Sequence, residues 1–171
     1  LLTNIVYGVI QHKLTLEYYL KPFIKRPNKL QSWVKQLLLT ALYQQIYLDN
    51  IPKRAIFNET IEIAKVKGHA GVRKFVTGIL HAIDRQGLPS LDAIADPIEA
   101  LSIATSTPRW LVEQLQKEVG VAKTKSILET VNQAPKQTVR VNTKVTTAKA
   151  LTEQLEAEKL EVTKSSVTPL A

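Results

Sequence analysis

A helical repeat of apolar residues from Val72 to Ile83, which ends before Gly87, constrains the fold more than any other feature of the sequence. Its members follow the i, i+3, i+4, i+7 spacing that places side chains on one face of an α-helix; they are Val72, Phe75, Val76, Ile79, Leu80 and Ile83. Gly78 interrupts the repeat, and glycine lowers helix propensity by about 1 kcal/mol relative to alanine. We therefore predict an amphipathic helix with a close helix–helix approach at Gly78.

Further helices are predicted on both sides of this repeat. An apolar stripe over residues 32–48 ends at Pro52, because proline lacks the N–H that continues a helix. The next predicted helix covers about residues 53–67, and its inward positions are Ile56, Thr60, Ile63 and Ala64. Asp96 before a proline is typical of a helix N-cap, and Thr107 before Pro108 repeats the arrangement.

The periodicity changes near the carboxyl end. Residues 138–143 and 160–164 alternate with period two and are rich in β-branched residues, which predicts two strands around a short helix capped by Thr147. Two strands cannot bury their own faces, so we expect this βαβ unit to be incomplete. The sequence predicts a mainly α fold with three parts: a helical domain over residues 1–96, a helical connector over 97–134, and the βαβ unit over 135–171.

Charge is the strongest indication of a partner. The net charge is +8, and the excess is concentrated in the first third, where Glu17 and Asp49 alone oppose eight cations. These candidate nucleic-acid-binding residues are Lys13, Lys21, Lys25, Arg26, Lys29, Lys35, Lys53 and Arg54. A general solubility charge would be spread more evenly, so the clustering favours a nucleic-acid surface over a solvated face.

A second candidate group lies on or just after the first predicted strand. Arg140, Asn142 and Lys144 could touch a nucleic acid there, and simple solvent exposure explains them equally well. Tyr18 and Tyr19 are candidates for base stacking beside the lysines. The other large aromatic residues lie on apolar helix faces and are predicted to pack in the core; they are Trp33, Tyr43, Phe75 and Trp110.

Several kinds of chemistry are not expected from this chain. It contains no cysteine, so disulfides and thiolate nucleophiles are excluded, and its three histidines lack metal-ligand spacing. Its glycines form no phosphate-binding cluster. We predict no catalytic, cofactor-binding or metal-binding residue. No apolar run approaches the roughly 20 residues that span a bilayer. Together with a start that lacks the features of a signal peptide, this leads us to expect a cytoplasmic protein. The absence of methionine leads us to expect a piece of a longer gene product.

Six stretches resemble one family. Residues 5–10 (IVYGVI), 37–52 (LLLTALYQQIYLDNIP), 56–60 (IFNET) and 75–80 (FVTGIL) resemble NusB-like segments that read LVYGVL, LLRLGLYQLLFLDRIP, AAVNETV and FVNGVL. Residues 102–112 (SIATSTPRWLV) and 138–143 (TVRVNT) resemble the YSHPxWLV and LRVNT stretches of bacterial ribosomal-RNA cytosine-5 methyltransferases with an N-terminal NusB-like domain, the Sun/Fmu/RsmB family. Thr77 and His81 depart from the asparagine and arginine common in the family.

The resemblance implies a NusB-like all-helical RNA-binding domain, then a small RRM-like subdomain, then a catalytic domain downstream of Ala171. That domain would bind S-adenosylmethionine and make 5-methylcytosine in small-subunit ribosomal RNA. Ribosomal RNA and the downstream domain would be the partners, with no DNA or membrane expected. The alternative is a non-catalytic NusB-like adaptor that binds RNA and protein in transcription antitermination or ribosome assembly.

Overall fold

The computed structural model describes residues 1–133, 137–163 and 165. The chain forms two compact units, Leu1–Asn132 and Gln133–Ala171. All regular secondary structure in the described residues is helical, so the predicted mainly α fold is confirmed. None of the helices in these ranges is long and apolar enough to cross a membrane.

The described first unit consists of α-helices joined by short connections. The helices are α1 (Leu2–Gln11), α2 (Lys13–Leu20), α3 (Ser32–Tyr47), α4 (Lys53–Lys67), α5 (Ala70–Gln86), α6 (Pro97–Ala104), α7 (Arg109–Val119) and α8 (Val121–Val131). Three single 3-10 turns lie between them, at Lys21–Phe23, Pro27–Lys29 and Leu91–Ala93. The predicted bounds of α3, α4 and α5 are confirmed to within a residue or two.

Helix α3 lies at the centre of the core, in contact with α1, α2, α4 and α5. Its buried residues are Val34, Leu38, Leu39, Ala41, Leu42 and Tyr43. A helix that buries more than one face is typical of a core element. The surrounding helices add Val9, Leu16, Leu20, Ile56, Phe57, Ala64, Val76, Ile79, Leu80 and Ile83. Burial of this apolar cluster is the main source of stability in the first unit.

One of the four predicted inward positions of α4 is wrong. Ile63 is 41% exposed, whereas Phe57 is 8% exposed. The buried stripe of α4 is centred between Phe57 and Thr60, which leaves Ile63 at its edge. Trp33 and Tyr43 pack in or against the core as predicted, but Phe75 and Trp110 do not.

Phe75 and Trp110 are 38% and 67% exposed. Phe75 lies at the edge of the apolar stripe of α5. Trp110 lies about 200° around α7 from the buried Val112, because successive helical residues are rotated by about 100°. The presence of an aromatic side chain on a helix with an apolar face therefore does not by itself predict that the ring is buried.

The predicted close approach at Gly78 is also wrong. A Cβ atom built at Gly78 would meet no heavy atom within 4 Å. The close approach is at Gly8 in α1, where a Cβ atom would lie 2.0 Å from Cζ of Tyr43 in α3. Gly8 therefore allows these two helices to pack closely, and Gly78 leaves open space beside α5.

Helices α6 and α7 begin differently. Asp96 caps α6 as predicted, since its Oδ1 accepts from Ile98 N at 2.9 Å and Glu99 N at 3.4 Å. Thr107 does not cap α7, which corrects the prediction: Pro108 is the N-cap residue. The hydroxyl of Thr107 is buried and accepts from the Thr105 hydroxyl at 3.1 Å, so it is not available to cap α7.

The turn between α6 and α7 is hydrogen-bonded to α2. The Thr15 hydroxyl donates to the Ile103 carbonyl at 2.5 Å, and Leu14 N donates to the Ser106 hydroxyl at 2.9 Å. Residues 97–132 of the predicted connector thus lie in the same compact unit as the helices before them.

The described part of the second unit contains α9 (Ala148–Ala157), capped by Thr147, whose hydroxyl accepts from Ala150 N at 3.2 Å. The prediction of two strands is wrong for the described residues, because residues 138–143 and 160–163 form no strand. Lys164, the last residue of the second predicted strand, lies outside the described residues. A strand requires hydrogen bonds from a neighbouring strand, which a local sequence pattern does not provide. Asn142 instead begins a turn, with its carbonyl accepting from Val145 N at 3.0 Å.

Candidate RNA-binding surface

The connection between α2 and α3 presents cations from an anchored backbone. Pro22 and Pro27 each lie in the first two residues of a 3-10 turn, so residues 21–31 do not continue α2. Its apolar side chains pack against the core; they are Phe23, Ile24 and Leu30. Its cations Lys25, Arg26 and Lys29 are exposed, as expected from the sequence.

An open hollow of about 730 Å³ lies between this connection and α5. The connection and the start of α3 contribute Phe23, Ile24, Lys25, Arg26, Lys29, Leu30, Gln31 and Val34. The other wall is formed by His69, Gly71, Val72, Lys74, Phe75, Gly78 and Ile79. The lining of the hollow therefore combines apolar side chains with four cations, and it includes no carboxylate.

The α5 wall of the hollow is fixed at its start by a histidine cap. His69 precedes α5, and its Nδ1 accepts from Gly71 N at 3.1 Å. Lys74 and the partly exposed Phe75 follow within the first two turns. Gly78, one turn after Phe75, adds no side chain. The open side of α5 is thus shaped by the ring of Phe75 and by the bare backbone at Gly78.

Sequence reasoning missed the α5 contribution to the hollow. Lys74 is 49 positions from Lys25, and charge clustering along the chain does not connect them. One signal was present: Phe75 and Gly78 are three residues apart and so share a helix face. A large ring and a glycine on the same helix face are compatible with a hollow on the surface of that helix.

The eight cations of the first third, all predicted to bind nucleic acid, fall into three groups in the structure. Lys35 pairs with Glu17 at 2.9 Å, and Lys53 pairs with Asp84. In the described ranges the other six make no ion pair, and three of them, Lys25, Arg26 and Lys29, line the hollow with Lys74. The remaining three are exposed outside its lining; they are Lys13, Lys21 and Arg54.

The other predicted contacts lie elsewhere. Tyr18 and Tyr19 are half-buried, do not line the hollow, and the Tyr18 hydroxyl donates to the Ser90 carbonyl at 3.0 Å. Arg140, Asn142 and Lys144 are in the second unit, where all three are exposed. Asn142 Oδ1 accepts from Lys144 N at 3.2 Å, so that amide has a local structural role.

Each histidine has a structural contact. The ring centroid of His12 lies 4.1 Å from that of Tyr47, and burial lowers the pKa of His12. His69 caps α5, and His81 meets the ring of Phe57 edge-on at 6.0 Å. No three metal-ligating side chains gather anywhere in the described part of the chain.

Comparison with family sequence models identifies two domains. Residues 1–85 match the NusB family, and residues 107–171 match the ferredoxin-like domain of RsmF/B-like methyltransferases. The helices packed around α3 are thus a NusB-family domain, which this chain carries together with a methyltransferase-associated domain.

Individual relatives agree with this pairing. The chain is 46% identical to the probable ribosomal RNA small subunit methyltransferase B of Bacillus subtilis over 98% of its own length and 37% of the relative's. The two domain matches and this identity make the chain similar to the N-terminal part of that relative, of which it spans little more than a third. It is also 32% identical to the transcription antitermination protein NusB of Photobacterium profundum, over 45% of this chain and 52% of that protein.

The fold also resembles a solved structure. The crystal structure of PH0851 superposes with a TM-score of 0.65, covering 99% of this chain and 38% of that one. The two sequences are 21% identical, so the likeness concerns the fold alone.

Proposed function

We propose that this chain is the RNA-positioning region of an S-adenosylmethionine-dependent methyltransferase that makes 5-methylcytosine in small-subunit ribosomal RNA. The NusB-family domain holds RNA by its sugar–phosphate surface, in the cytoplasm, while a catalytic domain of the same protein transfers the methyl group. The similar Bacillus subtilis protein is a probable ribosomal RNA small subunit methyltransferase, which supports ribosomal RNA as the substrate class.

The observation that carries this proposal is the group of four cations around the hollow. Lys25, Arg26, Lys29 and Lys74 are exposed, and none makes an ion pair within the described residues. A concave surface lined by charges of one sign concentrates its field, which attracts a polyanion. RNA binding through phosphates releases counterions, so this surface favours a salt-dependent affinity.

The chemistry of the proposed reaction assigns the remaining steps to the catalytic domain. Cytosine C5 is a poor nucleophile until a thiolate adds to C6; C5 then attacks the methyl group of the cofactor, and its proton leaves before the thiolate is released. This chain contains no cysteine. In the proposal, its residues therefore bind and orient RNA, and the thiolate and the S-adenosylmethionine site are supplied elsewhere in the protein.

The test is the salt dependence of RNA affinity. Each phosphate contact with single-stranded RNA contributes about −0.7 to the slope of log K against log salt, so four contacts give a slope of about −3. Fluorescence anisotropy with a labelled oligouridylate at several salt concentrations measures this slope. An affinity that does not change with salt would contradict the proposal.

Charge reversal locates the surface. In the double variant Lys25→Glu/Arg26→Glu, we expect RNA affinity to fall by about tenfold or more while the circular dichroism spectrum is unchanged, because both side chains are exposed. The matched control is Lys117→Glu/Lys123→Glu on α7 and α8, which changes the net charge equally outside the hollow. Equal loss of affinity in both variants would show that net charge alone drives binding.

A non-catalytic adaptor is the second candidate function, favoured by the match of residues 1–85 to the NusB family and by the NusB relative. Such an adaptor would bind RNA and a protein partner in antitermination or ribosome assembly. Methyl transfer from labelled S-adenosylmethionine to unmodified small-subunit RNA by the full-length protein distinguishes the two. Transfer to C5 of cytosine supports the enzyme, and its absence in a correctly folded full-length protein favours the adaptor.

A further inference from the structure

The hollow combines two chemical properties that a phosphate-binding patch does not need. Its cations are Lys25, Arg26 and Lys29 on one wall and Lys74 on the other. Between these walls the lining is apolar, with Phe23 and Phe75 as its aromatic members. Phosphate binding alone would be served by exposed cations on a flat surface, so the apolar interior favours a ligand with an apolar part.

Gly78 makes room for such a ligand. A Cβ atom there meets no heavy atom within 4 Å, although Gly78 lines the hollow on the same face of α5 as Phe75. The ring of Phe75 is 38% exposed in a helix whose other large apolar side chains are mostly buried. A planar group can therefore lie against this ring and over the backbone of α5.

An unstacked nucleotide fits both properties. Its base is a flat, largely apolar group, and the phosphates on either side of it are anionic. Bases inside a duplex are already stacked and present only their edges, whereas a single strand can turn a base outward onto an aromatic ring. An acidic amphipathic peptide is the other chemical class that such a lining suits, but a phosphate on each side of the base matches cations on both walls.

We propose that the hollow binds one unstacked nucleotide of single-stranded RNA, with the base against Phe75 and Gly78 and the flanking phosphates on the cations of the two walls. This inference rests on the proposed RNA-positioning function and specifies how its surface binds. Apart from the cations, the polar side chains of the lining are Gln31 and His69, and His69 Nδ1 already accepts from Gly71 N. The site therefore selects single strands over duplexes with little selectivity among bases.

The test fills the hollow without changing its charge. Gly78→Leu places a side chain in the open space, and its negative φ makes the substitution compatible with the helix. We expect its affinity for a labelled oligouridylate to fall by about tenfold, since loss of base stacking has an effect of this order. The control Ala122→Leu, at an exposed position of α8, should bind like the wild type. Phe75→Ala, which removes the ring, should give a loss similar to that of Gly78→Leu.

The outcomes separate this inference from the proposed function. A salt-dependent affinity that Lys25→Glu/Arg26→Glu weakens but Gly78→Leu and Phe75→Ala leave unchanged would overturn the nucleotide site and keep the RNA surface. Equal affinity for single strands and for a duplex of the same length would overturn it as well. Absence of RNA binding by the wild-type chain would overturn both proposals. If a peptide of alternating leucine and glutamate binds more tightly than RNA, and Gly78→Leu abolishes that binding, the hollow is a protein-docking site.

Discussion

Gly8 and Gly78 both lie inside helices, but the space beside Gly8 is filled and the space beside Gly78 is open. The space that a side chain would occupy at Gly8 is filled by the ring of Tyr43, whose hydroxyl donates to Asn4 Oδ1 at 2.7 Å. The ring is thus held by a hydrogen bond as well as by packing. At Gly78 the equivalent space is empty. The same residue type is required for packing in α1 and is dispensable for packing in α5.

Alanine substitutions at these two positions should have opposite effects on stability. Gly78→Ala should raise the free energy of unfolding by about 0.5–1 kcal/mol, because alanine restricts the unfolded chain and favours the helix. Gly8→Ala should lower it by about 1–3 kcal/mol, since overpacking displaces the Tyr43 ring. Urea unfolding followed by circular dichroism measures both. A Gly8→Ala chain as stable as the wild type would contradict the close packing of α1 on α3.

His12 connects stability to pH at the junction of α1 and α2. Its ring stacks on Tyr47, and burial lowers its pKa below the ordinary value near 6.5. Between the lowered pKa and about 6.5 the unfolded chain binds more protons than the folded one. Stability due to His12 is therefore fully present above about pH 6.5 and decreases as the pH falls toward its folded-state pKa.

Comparison with His12→Gln isolates this effect, because glutamine does not titrate. We expect the melting temperature of the wild type to fall more than that of the variant between pH 7.5 and 5.5, since carboxylates elsewhere contribute equally to both. Differential scanning fluorimetry at these two pH values provides the measurement. Parallel pH dependence of the two proteins would show that the His12 ring is solvated in the folded state.

At the scale of elements, Asp96 and Arg109 join the start of α6 to α7. Asp96 caps α6 with one carboxylate oxygen and meets Arg109 of α7 with the other at 2.5 Å. Hydrogen bonds from Arg109 and from the amides of Ile98 and Glu99 lower the pKa of Asp96. Arg109 also meets Glu99 at 3.4 Å and Glu113 at 2.8 Å. Asp96 thus stabilises both the start of α6 and its connection to α7.

Two substitutions at Asp96 separate these roles. Asp96→Asn keeps a good capping side chain but removes the charge, whereas Asp96→Ala removes both. We expect the melting temperature to fall slightly in Asp96→Asn and further in Asp96→Ala, because exposed ion pairs contribute little and a lost cap contributes more. Thermal unfolding at neutral pH ranks the variants. Equal losses in Asp96→Asn and Asp96→Ala would indicate that the ion pairs dominate.

The sequence predicted the helices of the first unit more accurately than the strands of the second. Helices α3, α4 and α5 were predicted closely because their hydrogen bonds join residues four apart, so a local pattern contains the necessary information. The strands at 138–143 and 160–164 were not found in the described residues, because a strand depends on distant partners. The candidate site shows the same division: Lys25, Arg26 and Lys29 are neighbours in sequence, but only the packing of α5 brings Lys74 and Gly78 to them.

At the scale of the whole molecule, the core and the hollow lie within one of the two compact units. Every residue of the core cluster and of the hollow falls within Leu1–Asn132. The candidate contacts Arg140, Asn142 and Lys144 belong to the other unit. The first unit therefore contains the surface on which the RNA-binding proposal depends, and it should fold and bind without the second.

A chain ending at Asn132 tests this independence. We expect it to unfold cooperatively and to bind oligouridylate with the same salt slope of about −3, because its four hollow cations are intact. If Arg140 and Lys144 instead contact phosphates, the slope of the shortened chain should be less steep by about 1.4, or 0.7 for each lost contact. The 171-residue variant Arg140→Ala/Lys144→Ala is the matched control, since it removes these two charges and leaves the rest of the second unit in place. A reduced slope in both chains would assign those cations to RNA binding, whereas a reduction in the shortened chain alone would assign the effect to the rest of the second unit.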